Sequence, residues 1–214
     1  MLNIKTFVCN MIEENTYLVW DETKECVIID CGTYYADERK ELVDTIRTEG
    51  LRPVHLLATH GHLDHNFGIN TIAEEYGLNP KASEKDAPMM AALKEQGATL
   101  FGMTIDYEFP TVTHFLKEKE EVRFGSHTFT VLPTPGHTQG SVTFYCKDEE
   151  VAFTGDTLFR GSVGRTDFPG GSMFQLISSL RELAQLPDTT RIYAGHGEPT
   201  TIGYELAHNP YMDR

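Results

Sequence analysis

The sequence predicts an α/β fold in which helices cover the outer faces of two packed, mostly antiparallel sheets. Short strands, helices, more strands and further helices follow one another without the regular alternation that a fully parallel sheet requires. Several strands are continuous apolar runs, such as residues 26–29, which are typical of strands covered on both faces. No linker rich in Pro, Gly and Ser divides the 214 residues. We therefore expect a single domain over residues 1–214 with a sizeable core.

The first half of the chain is predicted to hold most of the helices. Alternating or apolar segments predict the strands. Leu42, Val43 and Ile46 recur at the spacing of a helix that ends at Gly50. In chain order, the predicted elements are strands over residues 2–10, 16–20 and 25–31, a helix over 35–49, a strand over 53–59, and helices over 67–76 and 83–96.

The second half is predicted to be richer in strands. Gly125 and Ser126 stand between two strand-like segments and predict a two-residue hairpin turn. The glycine-rich segment 155–171 predicts one long loop, and loops of this length are usually functional. In chain order, the predicted elements are strands over residues 122–124, 128–132, 141–146 and 150–154, that loop, a helix over 172–186, a strand over 191–194 and a short helix over 201–207.

The charge balance argues against nucleic acids and membrane surfaces as partners. The chain carries 32 Asp plus Glu against 18 Lys plus Arg, a formal net charge of −14, so phosphate-rich surfaces repel it. No apolar run approaches the ~18 residues of a membrane span, and residues 1–20 lack the pattern of a signal peptide. The four cysteines show no CxxC spacing and are predicted to be reduced and mostly buried. We therefore expect a cytoplasmic protein.

A motif of histidine and aspartate, HxHxDH, follows the predicted strand that ends near residue 59. It consists of His60, His62, Asp64 and His65. Side chains two positions apart in an extended segment point to the same side. Imidazoles with a carboxylate suit Zn²⁺ or Fe²⁺, whereas Ca²⁺ and Mg²⁺ prefer oxygen ligands. Asp64 alone would be interpreted as a helix N-cap, but the four side chains together predict a metal site.

Three further candidate ligands stand at the ends of predicted strands. They are His137, Asp156 and His196, and a glycine directly precedes each of them, so the backbone is able to approach closely. A single Gly-His pair is weak evidence for a metal ligand. The shared position after a strand, in a chain that already holds HxHxDH, makes these residues candidates.

The order of these motifs resembles the signature of the metallo-β-lactamase fold superfamily. Its sequence of HxHxDH, Gly-His, Gly-Asp and Gly-His recurs here, and the resemblance covers essentially the whole chain. The chain is most similar to a short form of the glyoxalase II-like (hydroxyacylglutathione hydrolase-like) branch. Three stretches carry that similarity: VIIDCG at 27–32, TGDTLFRGSVGRTDFPGG at 154–171 and GHGEPT at 195–200. The resemblance implies a four-layer αβ/βα sandwich with a dinuclear metal site at one edge of the two sheets.

The resemblance also implies a ligand set for two divalent ions, most often zinc, with iron or manganese as alternatives. It implies that His60, His62 and His137 bind the first ion, that Asp64, His65 and His196 bind the second, and that Asp156 bridges them. Asp30, at the end of its predicted strand, would orient the histidine loop from outside the ligand set. Arg165 matches a basic residue that binds the glutathione carboxylate in the family.

These expectations combine into a hydrolytic mechanism. Two Lewis-acidic ions would lower the pKa of a bridging water and provide a hydroxide at neutral pH, which attacks the carbonyl of a thioester or related ester. Asp64 would also orient the nucleophile, and Asp156 would hold both ions. The two ions, these two carboxylates and one hydroxide sum to one net positive charge. A small anionic substrate is therefore expected.

Two departures from the family leave the substrate open. Longer glyoxalase II enzymes add a helical domain after the position of residue 200 that helps to hold glutathione, and we expect that contribution to be missing because this chain ends at residue 214. Asp167 occupies the position of an expected aromatic residue and would oppose an anionic tripeptide. Glutathione thioesters and other thioesters or esters both remain candidates.

Other functions agree with part of the pattern. A persulfide dioxygenase would use one iron ion, held by His60, His137 and Asp156, and its loop also resembles residues 164–168. A β-lactamase or lactonase is less favoured, because neither closely shares the loop at residues 164–168. A nuclease is less favoured because of the negative net charge. A non-catalytic metal-binding protein is the remaining alternative. The segment 83–115, which contains several methionines and phenylalanines, agrees with a substrate lid, with a homodimer contact or with the packing of a peripheral helix.

Overall fold

Two six-stranded sheets pack against each other at the centre of the structure, a computed structural model that describes residues 1–213. The first sheet contains, in spatial order, β1 (Asn3–Cys9), β2 (Glu14–Trp20), β3 (Glu25–Ile29), β4 (Arg52–Leu57), β5 (Pro80–Ser83) and β6 (His114–Leu116). The second contains β7 (Glu121–Phe124), β8 (His127–Pro133), β9 (Val142–Cys146), β10 (Val151–Gly155), β13 (Arg191–Ala194) and β14 (Thr200–Thr201). Between β10 and β13, β11 (Leu158–Phe159) and β12 (Ser162–Val163) form a small separate hairpin.

Helices cover the outer face of each sheet. They are α1 (Ala36–Thr48), α2 (Ile69–Tyr76), α3 (Ala87–Ala91), α4 (Leu93–Leu100), α5 (Met173–Leu183) and α6 (Ile202–His208). The helices α1 to α4 bury residues such as Leu42 and Ile72 with the first sheet, and α5 and α6 bury residues such as Leu180 and Ile202 with the second. A third apolar cluster, including Phe129 and Phe153, lies between the sheets. The predicted four-layer α/β sandwich is thus confirmed.

The prediction that both sheets are mostly antiparallel is wrong for the first sheet. Its strands β1, β2 and β3 pair in antiparallel fashion, but β3–β4, β4–β5 and β5–β6 are parallel pairs. Parallel neighbours need a crossover connection, and the helices α1 to α4 supply these connections. The strands β5 and β6 were not predicted, because four and three residues are too short to show periodicity.

Two other predicted elements differ in the structure. The helix predicted over 83–96 is instead a 3-10 turn (Glu84–Asp86) followed by α3 and α4, which are separated at Ala92. The backbone there is not helical, with φ −109° and ψ 25°, and this break lets Met90 and Leu93 enter the same core. The predicted loop 155–171 is not irregular throughout, since it contains the hairpin of β11 and β12.

The structure also bears on the predictions about the cysteines, a membrane span and the end of the domain. All four cysteines are buried free thiols, as predicted. In the part of the chain that the structure describes, no helix combines the length and the apolar character needed to cross a membrane. Arg214, the last residue of the predicted domain, lies outside the described residues.

Candidate metal centre

The structure brings all seven predicted ligand side chains together at one edge of the two sheets. They arrive from several chain segments: His60 and His62 follow β4, Asp64 and His65 lie in the 3-10 turn Leu63–His65, His137 follows β8, Asp156 follows β10 and His196 follows β13. Both sheets therefore contribute to the site.

The first cluster consists of three buried imidazoles. One ring nitrogen of each of His60, His62 and His137 lies within 4.8 Å of the others. The side chains are hardly exposed, and Nδ1 of His62 lies 2.9 Å from Nε2 of His137. Burial, reinforced by the neighbouring imidazoles, lowers the pKa of His60 well below its usual value, and burial together with His137 lowers the pKa of His62 to about 4. Neutral imidazoles have a free lone pair for a metal ion.

The second cluster combines a carboxylate with two imidazoles. Oδ2 of Asp64 lies 3.2 Å from Nε2 of His65 and 3.3 Å from Nε2 of His196. Burial alone would raise the pKa of Asp64, but His65 and His196 outweigh it, and the pKa is lowered. Asp64 is therefore ionised and able to bind a cation.

Asp156 reaches both clusters. Its Oδ1 lies 3.3 Å from Nε2 of His65, and its Oδ2 lies 3.5 Å from Nε2 of His137 and 3.7 Å from Nε2 of His196. One carboxylate oxygen thus faces the second cluster, and the other lies between the two clusters. This is the position that a bridging ligand requires.

The donor atoms at the centre of the site suit metal ions. Nε2 of His60, Nε2 of His65 and Oδ1 of Asp156 are buried and have no hydrogen-bond partner. Buried polar atoms rarely lack a partner, and the shared position of these three suits the binding of a cation. Three nitrogen donors in one cluster, and two nitrogens with a carboxylate in the other, form the mixed set that zinc and iron prefer. The residues therefore fit two ions.

Asp30 orients the imidazoles of His60 and His65 from the side of their Nδ1 atoms. Its Oδ2 accepts hydrogen bonds from Nδ1 of His65 at 2.9 Å and from Oγ1 of Thr59 at 2.7 Å, and its Oδ1 accepts the Thr59 N–H at 2.7 Å. Since the Thr59 hydroxyl donates to Asp30, it accepts from Nδ1 of His60, 3.0 Å away. Both rings consequently present Nε2 to the site.

Backbone carbonyls orient two further rings. Nδ1 of His137 donates to the carbonyl of Arg165 at 2.7 Å, so the segment 155–171 supports a ligand of the first cluster. Nδ1 of His196 faces the carbonyls of Ile12 and Glu13 at 3.1 and 3.2 Å. The turn between β1 and β2 thereby supports a ligand of the second cluster.

The sequence did not indicate the role of Asp86, which lies at the end of the 3-10 turn before α3. Its buried carboxylate accepts hydrogen bonds from the Gly61 N–H at 2.9 Å, the Thr138 hydroxyl at 2.7 Å and the Gly140 N–H at 2.8 Å. Gly61 stands between two histidines of the first cluster, and Thr138 follows the third. Asp86 therefore joins the two loops that carry this cluster.

Glu14 is a second unpredicted residue at the site. It is fully buried at the start of β2. Its Oε1 lies 3.8 Å from Nδ1 of His65 and has no hydrogen-bond partner, whereas its Oε2 accepts from the Thr16 hydroxyl. Burial is the main cause that raises its pKa well above the usual value. A Cβ atom on Gly32 would lie 2.0 Å from Oε2 of Glu14, so only glycine leaves room for this side chain.

A cavity of about 460 Å³ opens over both clusters. Arg165, which was predicted to contact the substrate, lies at its wall, and its guanidinium makes a two-point contact with Asp167, with both N–O distances at 2.7 Å. The guanidinium also lies 4.0 Å from the ring centre of Phe168. Asp167 therefore offsets the only Lys or Arg charge among the described residues that line this cavity.

Comparisons with known proteins agree with this site. The chain is 39% identical over 214 residues to hydroxyacylglutathione hydrolase GloC of Haemophilus influenzae, and the match covers 99% of each chain. The structure is similar to that of TTHA1623 in a di-iron-bound form, with a TM-score of 0.86, 36% identity and coverage of 97% and 100% of the two chains.

Two further proteins of known structure share this fold but carry other names. The BLEG-1 B3 metallo-β-lactamase has a TM-score of 0.87 and 33% identity, and the match covers 99% of each chain. ETHE1 from Myxococcus xanthus has a TM-score of 0.79 and 29% identity, over 97% of this chain and 83% of that one. Relatives of this similarity thus carry different names, so the fold alone does not identify the substrate.

The family model of the metallo-β-lactamase superfamily matches residues 12–196. Members of this superfamily are mainly metal-dependent hydrolases that bind two ions, and the di-iron relative shows that the metal is not always zinc. The chain therefore belongs to the metallo-β-lactamase superfamily, as a metal-binding member of the metal-dependent hydrolase type.

Proposed function

We propose that the protein hydrolyses a thioester or a related ester with the help of two divalent ions, with zinc as the first choice. The observation that carries the proposal is the pair of clusters joined by Asp156, whose two oxygens lie 3.3 Å from His65 and 3.5 Å from His137. Two ions held this close act together on one reacting group in many hydrolases.

Each gathered side chain has a role in this proposal. His60, His62 and His137 would hold the first ion, Asp64, His65 and His196 the second, and Asp156 would touch both. When bound, the ions supply Lewis acidity, which activates water and polarises a carbonyl group. The Asp64 carboxylate, on the wall of the cavity, accepts a hydrogen bond from the attacking water and so orients it.

The lining of the cavity favours a thioester over an amide. An amine leaving group needs a proton donor, whereas a thiolate departs without one. Among the described residues that line the cavity, none is a lysine, tyrosine or cysteine, and the histidines belong to the two clusters. The site therefore lacks a dedicated general acid, which a thioester does not need.

The charge of the loaded site favours a small anionic substrate. Two divalent ions outweigh the carboxylates of Asp64 and Asp156, while the remaining surface of this acidic chain repels anions. Glutathione thioesters are the first compounds to test, because a relative with 39% identity is named hydroxyacylglutathione hydrolase. The contact between Asp167 and Arg165 weakens the attraction of a substrate carboxylate to this arginine.

A thioesterase assay with a matched variant tests the proposal. Zinc-loaded protein should cleave S-D-lactoylglutathione or another member of a thioester panel, and Asp156→Ala should lower kcat/KM at least 100-fold. Equal rates for the two proteins would support a metal-binding protein without catalysis. Absence of cleavage across the panel, with two ions bound per chain, would contradict the proposal.

A persulfide dioxygenase is the second candidate. The site contains the three residues that such an enzyme would use, and a relative with 36% identity, solved in a di-iron-bound form, shows that this fold accepts iron. The complete second cluster favours the hydrolase, since one iron ion leaves Asp64, His65 and His196 without a function. Oxygen consumption by the iron-loaded protein with glutathione persulfide, absent from the zinc-loaded protein, would favour the dioxygenase.

A further inference from the structure

We propose that a groove beside the metal centre binds the acyl chain of the substrate, and that this chain is a hydrocarbon of several carbons. The proposal rests on the thioesterase function proposed above. The groove, of about 320 Å³, lies between α3 and α4 on one side and the segment around Phe168 on the other. Its apolar wall consists of Pro88, Met89, Ala92, Leu100, Phe168 and Pro169.

The groove is continuous with the cavity over the metal ligands. His62, Leu100 and Phe168 line both spaces. The ring of Phe168 stands edge-on to the ring of His62, with 5.7 Å between the ring centres. A substituent on a carbonyl group at the metal centre therefore reaches the groove without crossing the protein.

Two polar side chains of the groove, Gln96 and Thr99, have no hydrogen-bond donor left for a ligand, and the third, His62, belongs to the first cluster. Nε2 of Gln96 donates to the carbonyls of Gly61 and Met89, both at 3.0 Å, and its Oε1 accepts the Leu63 N–H at 3.0 Å. The hydroxyl of Thr99 donates to the carbonyl of Glu95 at 2.8 Å. An anionic or strongly polar group placed beside these two side chains would lose water without compensation.

The groove and the metal cavity differ in charge, and this difference indicates which part of the substrate each one binds. Among the described residues, no lysine or arginine lines the groove, whereas Arg165, Asp64 and His196 line the metal cavity. The departing thiolate carries a negative charge, so it leaves through the polar cavity. The uncharged acyl chain then occupies the groove.

This assignment gives the segment 83–115 a function. The helices α3 and α4 supply most of the groove wall, and Leu100 at the end of α4 is 47% exposed. A hydrocarbon chain that covers such an apolar side chain is stabilised by about 0.8 kcal/mol for each buried methylene. The segment thus acts as a wall of the substrate site.

Two substrate series test the proposal. In the first, acyl chains from acetyl to octanoyl are joined to the uncharged thiol N-acetylcysteamine, and kcat/KM should rise about fourfold per added methylene over the first steps. In the second, the acyl group stays acetyl and the thiol is lengthened, which should leave kcat/KM nearly unchanged. A flat acyl series, or a rise confined to the thiol series, would overturn the proposal.

Three variants place the effect in the groove. Ala92→Phe should fill the groove, Leu100→Asn should make its wall polar, and both should lower the octanoyl-to-acetyl ratio of kcat/KM at least tenfold. This ratio is independent of the amount of loaded, folded protein, because both substrates meet the same metal centre. Ala98→Phe is the matched control, since Ala98 is exposed on α4 and does not line the groove. An equal change of the ratio in this control would count against the groove.

Direct binding separates this proposal from the thioesterase function. By calorimetry, the metal-loaded protein should bind octanoate at least 30-fold more tightly than acetate, and Ala92→Phe should remove this difference. If no thioester is cleaved but the preference for octanoate is present, the proposed function fails and the groove assignment stands. Equal affinities for the two acids would refute the groove assignment even if thioesters are cleaved.

Discussion

Single buried carboxylates organise the metal centre from two sides. Asp30 bonds to His65 and, through Thr59, directs His60. Asp86 bonds to the loops on either side of the first cluster. Neither residue is assigned as a ligand of either ion, yet both determine where ligand atoms lie.

Replacement of Asp86 should weaken the first metal site. In Asp86→Asn, the amide group would face the N–H groups of Gly61 and Gly140 with only one acceptor oxygen. We expect the affinity for one of the two ions to fall about 10- to 100-fold. Titration with a competing zinc chelator measures this affinity, and the variant should still bind the other ion normally.

Asp21→Asn is the matched control for this experiment. Asp21 is also buried and accepts hydrogen bonds from backbone N–H groups and hydroxyls, at Thr23 and Ser126, but these bonds join no ligand loop. It should lower the free energy of unfolding and leave metal affinity unchanged. If the two variants lost metal affinity to the same extent, Asp86 would have no specific role at the site.

Asp21 should also contribute a pH-dependent part of the stability. Burial would raise its pKa, but bonds from Thr23, Ser126 and His127 outweigh burial and lower the pKa below its usual value. Such a carboxyl group stabilises the folded state above its unfolded pKa, and this contribution is lost as the pH falls through the folded pKa. The difference in unfolding free energy between wild type and Asp21→Asn, about 2 kcal/mol at pH 7, should therefore shrink below pH ~4. Urea unfolding with a chelator present measures it, and a difference that grew on acidification would contradict this explanation.

The sequence indicated the seven candidate ligands, but it did not indicate two of the buried carboxyl groups beside them, those of Asp86 and Glu14. Four of the seven candidates stand in the HxHxDH motif, whose spacing alone predicted a metal site, and the other three became candidates because each follows a glycine at the end of a predicted strand. Asp86 and Glu14 stand in no motif, and their partners at the site are 18 or more positions away. Only the packing of the two sheets brings these groups together.

Among the elements, α1 is joined to the start of α2 by one arginine. Arg39 donates to the carbonyls of Tyr34 and Phe67 and to the side chains of Asn70 and Thr71, at 2.8 to 3.2 Å. These partners lie before α1 and around the start of α2. The planar guanidinium thus fastens α1 to the segment that follows the HxHxDH motif.

Arg39→Lys should destabilise the protein although it keeps the charge. An ammonium group is unable to make these spread contacts. The carbonyl of Phe67 would lose one of its two donors and keep only the Tyr107 hydroxyl, and Asn70 and Thr71 would lose their contacts with the guanidinium. We expect the free energy of unfolding to fall by about 2 kcal/mol, measured by urea unfolding. Arg47→Lys, in an exposed pair with Glu75, should change it by less than ~0.5 kcal/mol. Equal losses would show that Arg39 acts only as a surface charge.

Elements with a clear period were predicted well, and the others were not. The helix α1 has three buried residues at helical spacing, and its predicted bounds differ from the observed ones by one residue at each end. The short strands β5 and β6 form because a neighbouring strand offers hydrogen bonds, and the break at Ala92 depends on the core beneath it. Neither cause leaves a local trace in the sequence.

For the whole molecule, metal ions should be a large part of the stability. An ion present at 100 times its Kd stabilises the folded state by about 2.7 kcal/mol, because the unfolded chain lacks the site. Two ions should therefore raise Tm by roughly 10 °C or more. Thermal unfolding with zinc and with excess chelator measures this shift. An unchanged Tm would mean that the two clusters do not hold ions tightly.

The origin of the ligand residues has a consequence for the way in which the chain folds. They extend from residue 60 to residue 196 and come from both sheets. Contacts between such distant positions form late, since long loops must close first. The complete site therefore does not exist while the first sheet is still alone. During synthesis, the second half of the chain must emerge and dock before the site is able to hold two ions, so metal binding would mark the end of maturation.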